Sequence, residues 1–232
     1  MASRLDFSVL TQGEYPHWIL QGIITTVELT ALAWMIALVV GTLLALIRMS
    51  NNRAGKMLVA CYVEYHQNVP MLVQIFLWYF GIPTLFPETL QTWVNTHNSE
   101  FLFAFIAVGL CMGAYISEDL RAGIRTIPRS QIEASRALGL GYVQAFRLVV
   151  FPQAVRVALP TLINHSVLLF KNTSLAMTVG VAELTYVARE IENQTFHTAE
   201  VYFVVTALYL FASLLIMLTG SVLEHRYRIK AR

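Results

Sequence analysis

The sequence predicts an all-α integral membrane protein with about five transmembrane helices. Of its 232 residues, 56% are hydrophobic and 13% are charged, which is too apolar and too poor in charge for an ordinary soluble domain. Five apolar segments also approach or exceed the roughly 20 residues needed to cross a bilayer. No low-complexity tract or Pro/Ser-rich linker separates a second domain, so we expect one membrane domain over residues 1–232.

The predicted spans cover residues 19–47, 58–80, 101–121, 157–181 and 201–222. The first is far longer than the core of a signal peptide, so we expect it to be retained. The second contains Pro70, which lacks an amide hydrogen and clashes with the preceding helical turn, so this span should kink or break. The fifth contains no ionisable residue.

Lysines and arginines predict the orientation, because they are retained on the cytoplasmic side of a membrane. Segment 48–56 has three of them, segment 121–156 has six and the tail 223–232 has four, whereas the opposite side has only Arg4 and Arg189. We therefore expect a periplasmic N-terminal segment (1–18), a membrane domain (19–222) with a cytoplasmic loop (121–156) between spans three and four, and a cytoplasmic tail (223–232).

Three segments on the predicted outer side have the mixed composition of surface helices. They are residues 7–18, 85–93 and 184–197. Trp18 and Tyr15 suit the level of the lipid headgroups. Each segment would either contact a soluble partner or cover the helix bundle.

The loop 121–156 has the sequence pattern of a short capped helix. Ser130 and Glu133 fit a capping box, in which each side chain accepts a hydrogen bond from the other residue's amide. Gly139 tolerates the left-handed turn that ends a helix. A second amphipathic stretch follows and should stop at Pro152. Such a helix would expose small residues to a partner; in the alternative, it is only a connector and Glu133 serves only its own helix terminus.

Ionisable side chains at membrane depth are costly unless they are paired or face water, and they therefore mark candidate functional sites. Lys171 begins the polar run Lys171-Asn172-Thr173-Ser174, about 15 Å from the outer end of its span at 1.5 Å per residue. Glu28 lies at a similar depth in the first span, about 14 Å from its end. The two residues would form an ion pair, or Lys171 would bind a substrate carboxylate.

The second span has polar side chains on both sides of its proline. Glu64, Asn68, Pro70 and Gln74 would line a pathway, since freed backbone groups are tolerated where they face a cavity. Alternatively, the side-chain amides of Asn68 and Gln74 form hydrogen bonds that hold neighbouring helices together. His66 and Glu64 do not form a metal site, because residues at i and i+2 face different sides of a helix.

Catalytic chemistry has no candidate in this sequence. Gly55-Lys56 is followed by Met57, so the phosphate-binding P-loop is missing and we expect any ATP and Mg²⁺ to bind a partner chain. Cys61 and Cys111 lie in apolar runs and suggest neither a disulfide nor a metal site. We expect no nucleic-acid partner.

The loop resembles the EAA loop of bacterial ABC-importer permeases. Glu133-Ala134-Ser135, then Gly139, then Val149-Val150-Phe151-Pro152 follow its spacing, with conservative departures at Ser135, Val149 and Phe151. In that family the loop docks into a groove of a cytoplasmic ATPase. The resemblance implies ATPase-coupling roles for Glu133, Ala134, Ser135, Ala137, Leu138 and Gly139.

The resemblance extends to nearly the whole chain. Segments 62–74, 117–124 and 169–175 look like signatures of polar amino-acid permeases, the histidine/glutamine/glutamate importer group, and 62–87 is most similar to glutamate/aspartate importers. Gln67 stands where many relatives have arginine. The resemblance implies a pair of identical or sibling permeases in lipid of the bacterial inner membrane, two ATPases and a periplasmic binding protein. The implied substrate path contains Glu28, Glu64, Asn68, Pro70, Gln74, Lys171, Asn172, Thr173 and Ser174.

Two other classes of function remain open. A gradient-driven secondary transporter would use Lys171, Glu28 and Glu64 as coupling groups, and it would be expected to show an internal repeat, which we do not see. A membrane scaffold or sensor would need no charges at membrane depth.

Overall fold

The computed structural model describes residues 5–50 and 52–227, and this part of the chain is helical and contains no β-strand. Arg4, Arg228, Lys230 and Arg232, which contributed to the predicted orientation, lie outside the described residues. The α-helices are α1 (Tyr15–Met49), α2 (Arg53–Asn68), α3 (Met71–Phe76), α4 (Glu88–Asn95), α5 (Ser99–Arg125), α6 (Arg129–Ala137), α7 (Tyr142–Ala145), α8 (Phe151–Asn172), α9 (Leu184–Thr195) and α10 (Thr198–Tyr227). Turns of 3₁₀-helix lie at Phe7–Thr11, Ile82–Leu85 and Thr173–Val179, and π-helical turns at Leu77–Gly81 and Phe146–Val150.

Four helical stretches are long and apolar enough to cross a membrane: α1, α5, the run Tyr142–Val179 and α10. A fifth candidate is the pair Arg53–Asn68 and Met71–Leu85, which is bent by 110°. All five lie where the sequence placed its spans. The second span is therefore two segments, or a re-entrant loop, rather than one kinked helix.

Helix α5 is the centre of the bundle, and α1 packs along it. Small residues allow this close contact: a Cβ on Gly109 would lie 2.7 Å from the Ile36 side chain, and one on Gly41 would lie 3.0 Å from the Gly113 carbonyl oxygen. Small residues at helix interfaces let backbones approach where no hydrophobic effect drives association in lipid. The α1–α5 pair therefore forms a rigid frame for the remaining helices.

The segments at the predicted outer end cover the bundle. The first 3₁₀ turn and α9 pack in one apolar cluster with α10, in which Leu10, Leu184 and Val201 are buried. The Asp6 amide donates to Glu200, and the Leu184 amide donates to the Thr26 hydroxyl of α1. These contacts favour the covering role for 7–11 and 184–195.

Candidate functional site

Helix α6 begins two residues earlier than the predicted capping box requires. Pro128 precedes its first turn in an extended conformation, and no side chain accepts a hydrogen bond at this terminus. Ser130 is thus already inside the helix, whereas a capping-box serine must precede the first helical residue. The predicted Ser130–Glu133 capping box is wrong.

The predicted end of α6 at Gly139 is confirmed. Gly139 has φ +85°, a left-handed conformation. The Gly139 amide donates to Arg136 and the Leu140 amide donates to Ser135, the paired bonds of a Schellman motif. These bonds satisfy carbonyl groups that a helix end would otherwise leave unpaired, so α6 has a fixed length.

One side of α6 faces solvent. Leu138 is 84% exposed, although it is a large apolar residue. Ser135 is instead buried, and its hydroxyl donates to the Ile132 carbonyl. Ser135 therefore supports the helix from within, and the exposed members of the predicted coupling set are Glu133, Ala134, Ala137, Leu138 and Gly139.

The loop returns to the membrane without a stop at Pro152, which contradicts the prediction. The chain is helical from Tyr142 to Val179, and a π-helical turn at Phe146–Val150 precedes Pro152 in the first turn of α8. A π turn displaces the backbone pattern locally, so a proline without an amide hydrogen is accommodated. The Arg136 guanidinium stacks 4.4 Å from the Tyr142 ring and donates to its hydroxyl, so α6 is tied to this continuous helix.

The break in the second span is held by Gln74. This side chain is fully buried, and its Nε2 donates to the carbonyls of Val69 (2.7 Å) and His66 (3.1 Å). Its Oε1 lies 2.6 Å from His66 Nδ1, and Cys111 Sγ donates to the His66 carbonyl. Gln74 thus closes the break from inside the protein, as the hydrogen-bonding alternative requires, and does not face a pathway in this conformation.

The outer side of the same break is exposed. Asn68 Nδ2 donates to the Glu64 carbonyl (2.7 Å) and carboxylate (3.1 Å), and Pro70 is exposed beside them. Glu64 and Asn68 thus present one polar surface outward from the subunit. These two residues and Pro70 remain the members of the predicted path available to a ligand on this span.

Lys171 lies where α8 changes to 3₁₀-helix. The Thr173 hydroxyl donates to Phe170 and the Ser174 hydroxyl donates to Lys171, and Thr173 is fully buried. Lys171 and Ser174 line a cavity of about 560 Å³ between α8 and α10. Hydroxyl groups from the surrounding helices also line it: Thr185, Tyr202, Thr206, Tyr209 and Ser213. The cavity combines one cation with several hydrogen-bonding groups.

The Lys171–Glu28 ion pair, one of the two alternatives that the sequence left open, does not form. Both side chains are exposed, and neither takes part in an ion pair within residues 5–50 and 52–227. The ion pairs in this part of the chain are Arg48–Glu118 and Arg121–Glu118, and His165–Asp119 and His197–Glu200 are histidine–carboxylate contacts. The sequence did not reveal the partners of Glu118 and Asp119, since these partners come from other turns and helices.

Glu183 is another acidic residue whose role the sequence did not reveal. It is fully buried and caps α9, accepting from the amides of Thr185 (3.0 Å) and Tyr186 (2.9 Å). The Tyr209 hydroxyl donates to it at 2.7 Å, so Glu183 fixes a residue of the cavity wall. Burial raises the pKa of the Glu183 carboxyl, and the hydrogen bonds from Thr185 and Tyr209 partly oppose this shift.

Comparison with known proteins identifies this arrangement. Residues 37–229 match the family described as "Binding-protein-dependent transport system inner membrane component". The chain belongs to this family. It is 34% identical over 219 residues to the "Glutamate/aspartate import permease protein GltJ" of Escherichia coli (strain K12), covering 93% of this chain and 89% of that protein. It is also 34% identical over 227 residues to the "L-cystine transport system permease protein TcyB" of Bacillus subtilis (strain 168), covering 97% and 93%.

A solved structure confirms the fold of this family member. The crystal structure of an amino acid ABC transporter with histidines matches at TM-score 0.82 and 30% identity, over 96% of this chain and 99% of that one. The chain is thus a permease subunit of the amino-acid ABC-importer type. These comparisons give no support to the gradient-driven alternative.

Proposed function

We propose that this permease imports glutamate and aspartate by alternating access, driven by ATP hydrolysis on a separate subunit. The observation that supports ATP coupling best is α6: a short helix of fixed length with an exposed apolar side chain, Leu138, at its end. A lone exposed leucine would be unremarkable, but here it ends a short helix that also exposes the small residues Ala134 and Ala137. This surface is suited to a groove on a partner.

Helix α6 would transmit force because it is tied to the spans on both sides. It follows α5 after a short turn at 126–128, and Arg136 joins it to Tyr142 at the start of the run that becomes α8. Closure of two ATPases would draw the α6 helices of two permeases together and open the pathway outward. Hydrolysis would then reset the pair.

The proposed substrate path contains Lys171, with Asn172 and Ser174 beside it, and the exposed surface of Glu64, Asn68 and Pro70. Lys171 would bind a carboxylate, because no acid of the described chain forms an ion pair with it and a cation at membrane depth is costly without an anionic partner. Glu28 faces outward on α1, where a second permease or lipid would cover it. Thr173 and Gln74 would position this path from behind rather than touch substrate.

The proposed setting is the bacterial inner membrane, with α6 and the C-terminal end in the cytoplasm. The arginine-rich ends of α1 and α5 and the start of α2 meet at one end of the bundle, which supports the orientation expected from the charges. A second permease, identical or a sibling, an ATPase pair and a periplasmic binding protein would complete the importer.

The decisive experiment is purification of the tagged chain from its native membranes in mild detergent, followed by identification of its partners. We expect an ATPase subunit, and proteoliposomes of this complex with the binding protein should take up labelled glutamate and aspartate only when ATP is inside. Uptake of cystine, glutamine or histidine instead would refute the substrate assignment. Transport by the chain without any ATPase would refute the mechanism.

A further inference from the structure

A cavity of about 450 Å³ lies at the cationic end of the bundle, where α1 and α5 end and α2 begins. Four of the six residues that line it are cations: Arg48, Lys56, Arg121 and Arg125. The other two, Met49 and Ile124, are apolar. This cavity is separate from the Lys171 cavity, and neither transport nor ATPase coupling accounts for it.

The cavity has more positive charge than its own acids balance. Arg48 and Arg121 both pair with the single carboxylate of Glu118. Lys56 and Arg125 take part in no ion pair within the described chain, 5–50 and 52–227. Glu64 attracts Arg48 only from a longer distance. Like charges held close together repel one another, so an external anion would be stabilised here.

The position of the cavity restricts the kind of anion. It lies at the ends of membrane-crossing helices, at the level where spans meet their loops. Of its two apolar lining residues, Met49 is 40% exposed. A cationic cavity with apolar residues in its wall, at the end of membrane-crossing helices, suits an amphiphile with an anionic head and hydrocarbon tails.

We propose that this cavity binds the phosphate of an anionic phospholipid, with its acyl chains against Met49. Arginine recognises phosphate through paired N–H donors, and lysine adds a point charge. Arg125 and Lys56 hold the phosphate, while Glu118 keeps Arg48 and Arg121 in place. The proposal depends on membrane insertion but not on the transported substrate.

The test uses the full chain, with the subunits that co-purify with it, in mild detergent and monitored by native mass spectrometry. Phosphatidylglycerol, phosphatidylcholine and glycerol 1-phosphate are added separately. The double variant Lys56→Gln/Arg125→Gln breaks no ion pair. Its matched control, Arg147→Gln/Arg156→Gln, removes the same charge from exposed positions of the neighbouring loop that do not line the cavity.

We expect selective binding of phosphatidylglycerol, and this binding should weaken as the salt concentration rises. In the double variant, binding should be about 30-fold weaker, as the loss of two membrane-adjacent cations predicts. The control should stay within about twofold, and Lys56→Arg/Arg125→Lys should keep binding. Equal losses in both double variants would overturn the proposal. Glycerol 1-phosphate binding as tightly as the lipid would also overturn the proposal. Displacement of the lipid when the ATPase subunit binds would overturn it too and would assign the cavity to that protein.

Discussion

Replacing Gln74 by leucine tests whether its side chain sets the geometry of the broken span. Leucine has a similar volume but cannot hydrogen-bond. The His66 ring nitrogen and the Val69 carbonyl would lose the partner that Gln74 provides, whereas the His66 carbonyl would keep Cys111. Leaving a buried polar group unsatisfied costs about 1–3 kcal/mol, so two such groups predict a loss of about 2–6 kcal/mol in the free energy of unfolding.

The assay is reversible unfolding of the purified protein by a denaturing detergent, followed by helical circular dichroism. The chain provides a matched control in Gln67, an exposed glutamine at the end of α2, on the other side of the break. Gln67→Leu should change the free energy of unfolding by less than about 0.5 kcal/mol, as exposed substitutions usually do. If Gln74→Leu is as stable as this control, Pro70 alone sets the bend and our account of Gln74 is wrong.

Three further predictions concern coupling, substrate and pH. Gly139→Pro should abolish uptake but not membrane insertion, because proline cannot adopt φ +85° or donate a hydrogen bond to the Arg136 carbonyl, whereas Gly139→Asn should retain uptake. Glu133→Lys should also abolish uptake. Normal uptake by Gly139→Pro or Glu133→Lys in proteoliposomes would contradict the coupling role. Lys171→Ala should lower uptake at least about tenfold but change the free energy of unfolding by less than about 1 kcal/mol. Lys171→Arg should keep part of the uptake activity. A large loss of stability in Lys171→Ala would instead show that Lys171 has a structural role. Burial raises the pKa of Glu183, so the protonated carboxyl favours the folded state. In detergent unfolding titrations, wild type should therefore gain stability relative to Glu183→Gln as the pH falls from about 8 to about 5. A difference in unfolding free energy between the two proteins that stays constant, or changes in the opposite direction, would contradict this.

The sequence predicted the positions of the spans because hydropathy over about 20 residues is a strong signal in lipid. Pro70 likewise predicted the break, and Gly139 predicted the end of α6. The 110° bend was not predictable, because it depends on Gln74 reaching back to His66 and Val69 after the chain has turned. The proline therefore predicts that the helix breaks but not the angle between its two segments.

The predictions that were wrong share a physical cause. The Ser130–Glu133 pattern fits a capping box, but its outcome depends on where the helix starts, and with Pro128 as N-cap the helix starts two residues earlier. The stop at Pro152 depended on a regular α-helix, and a π turn removed that condition. Both signals act over one helical turn, where a shift of one or two residues reverses the conclusion.

The Lys171–Glu28 ion pair, which the sequence left open as an alternative, shows a different limit. Similar depth along two spans is necessary for an ion pair, but the direction in which each side chain points is set by packing, and here both face out of the single chain. A charge exposed at membrane depth costs at least a few kcal/mol in lipid. In an isolated subunit, it would cost considerable free energy to expose Glu28, Glu64 and Lys171 to lipid at the same time. Water or a second permease must therefore cover at least some of them. The same exposure that removes the ion pair therefore argues that the pathway is completed by another chain.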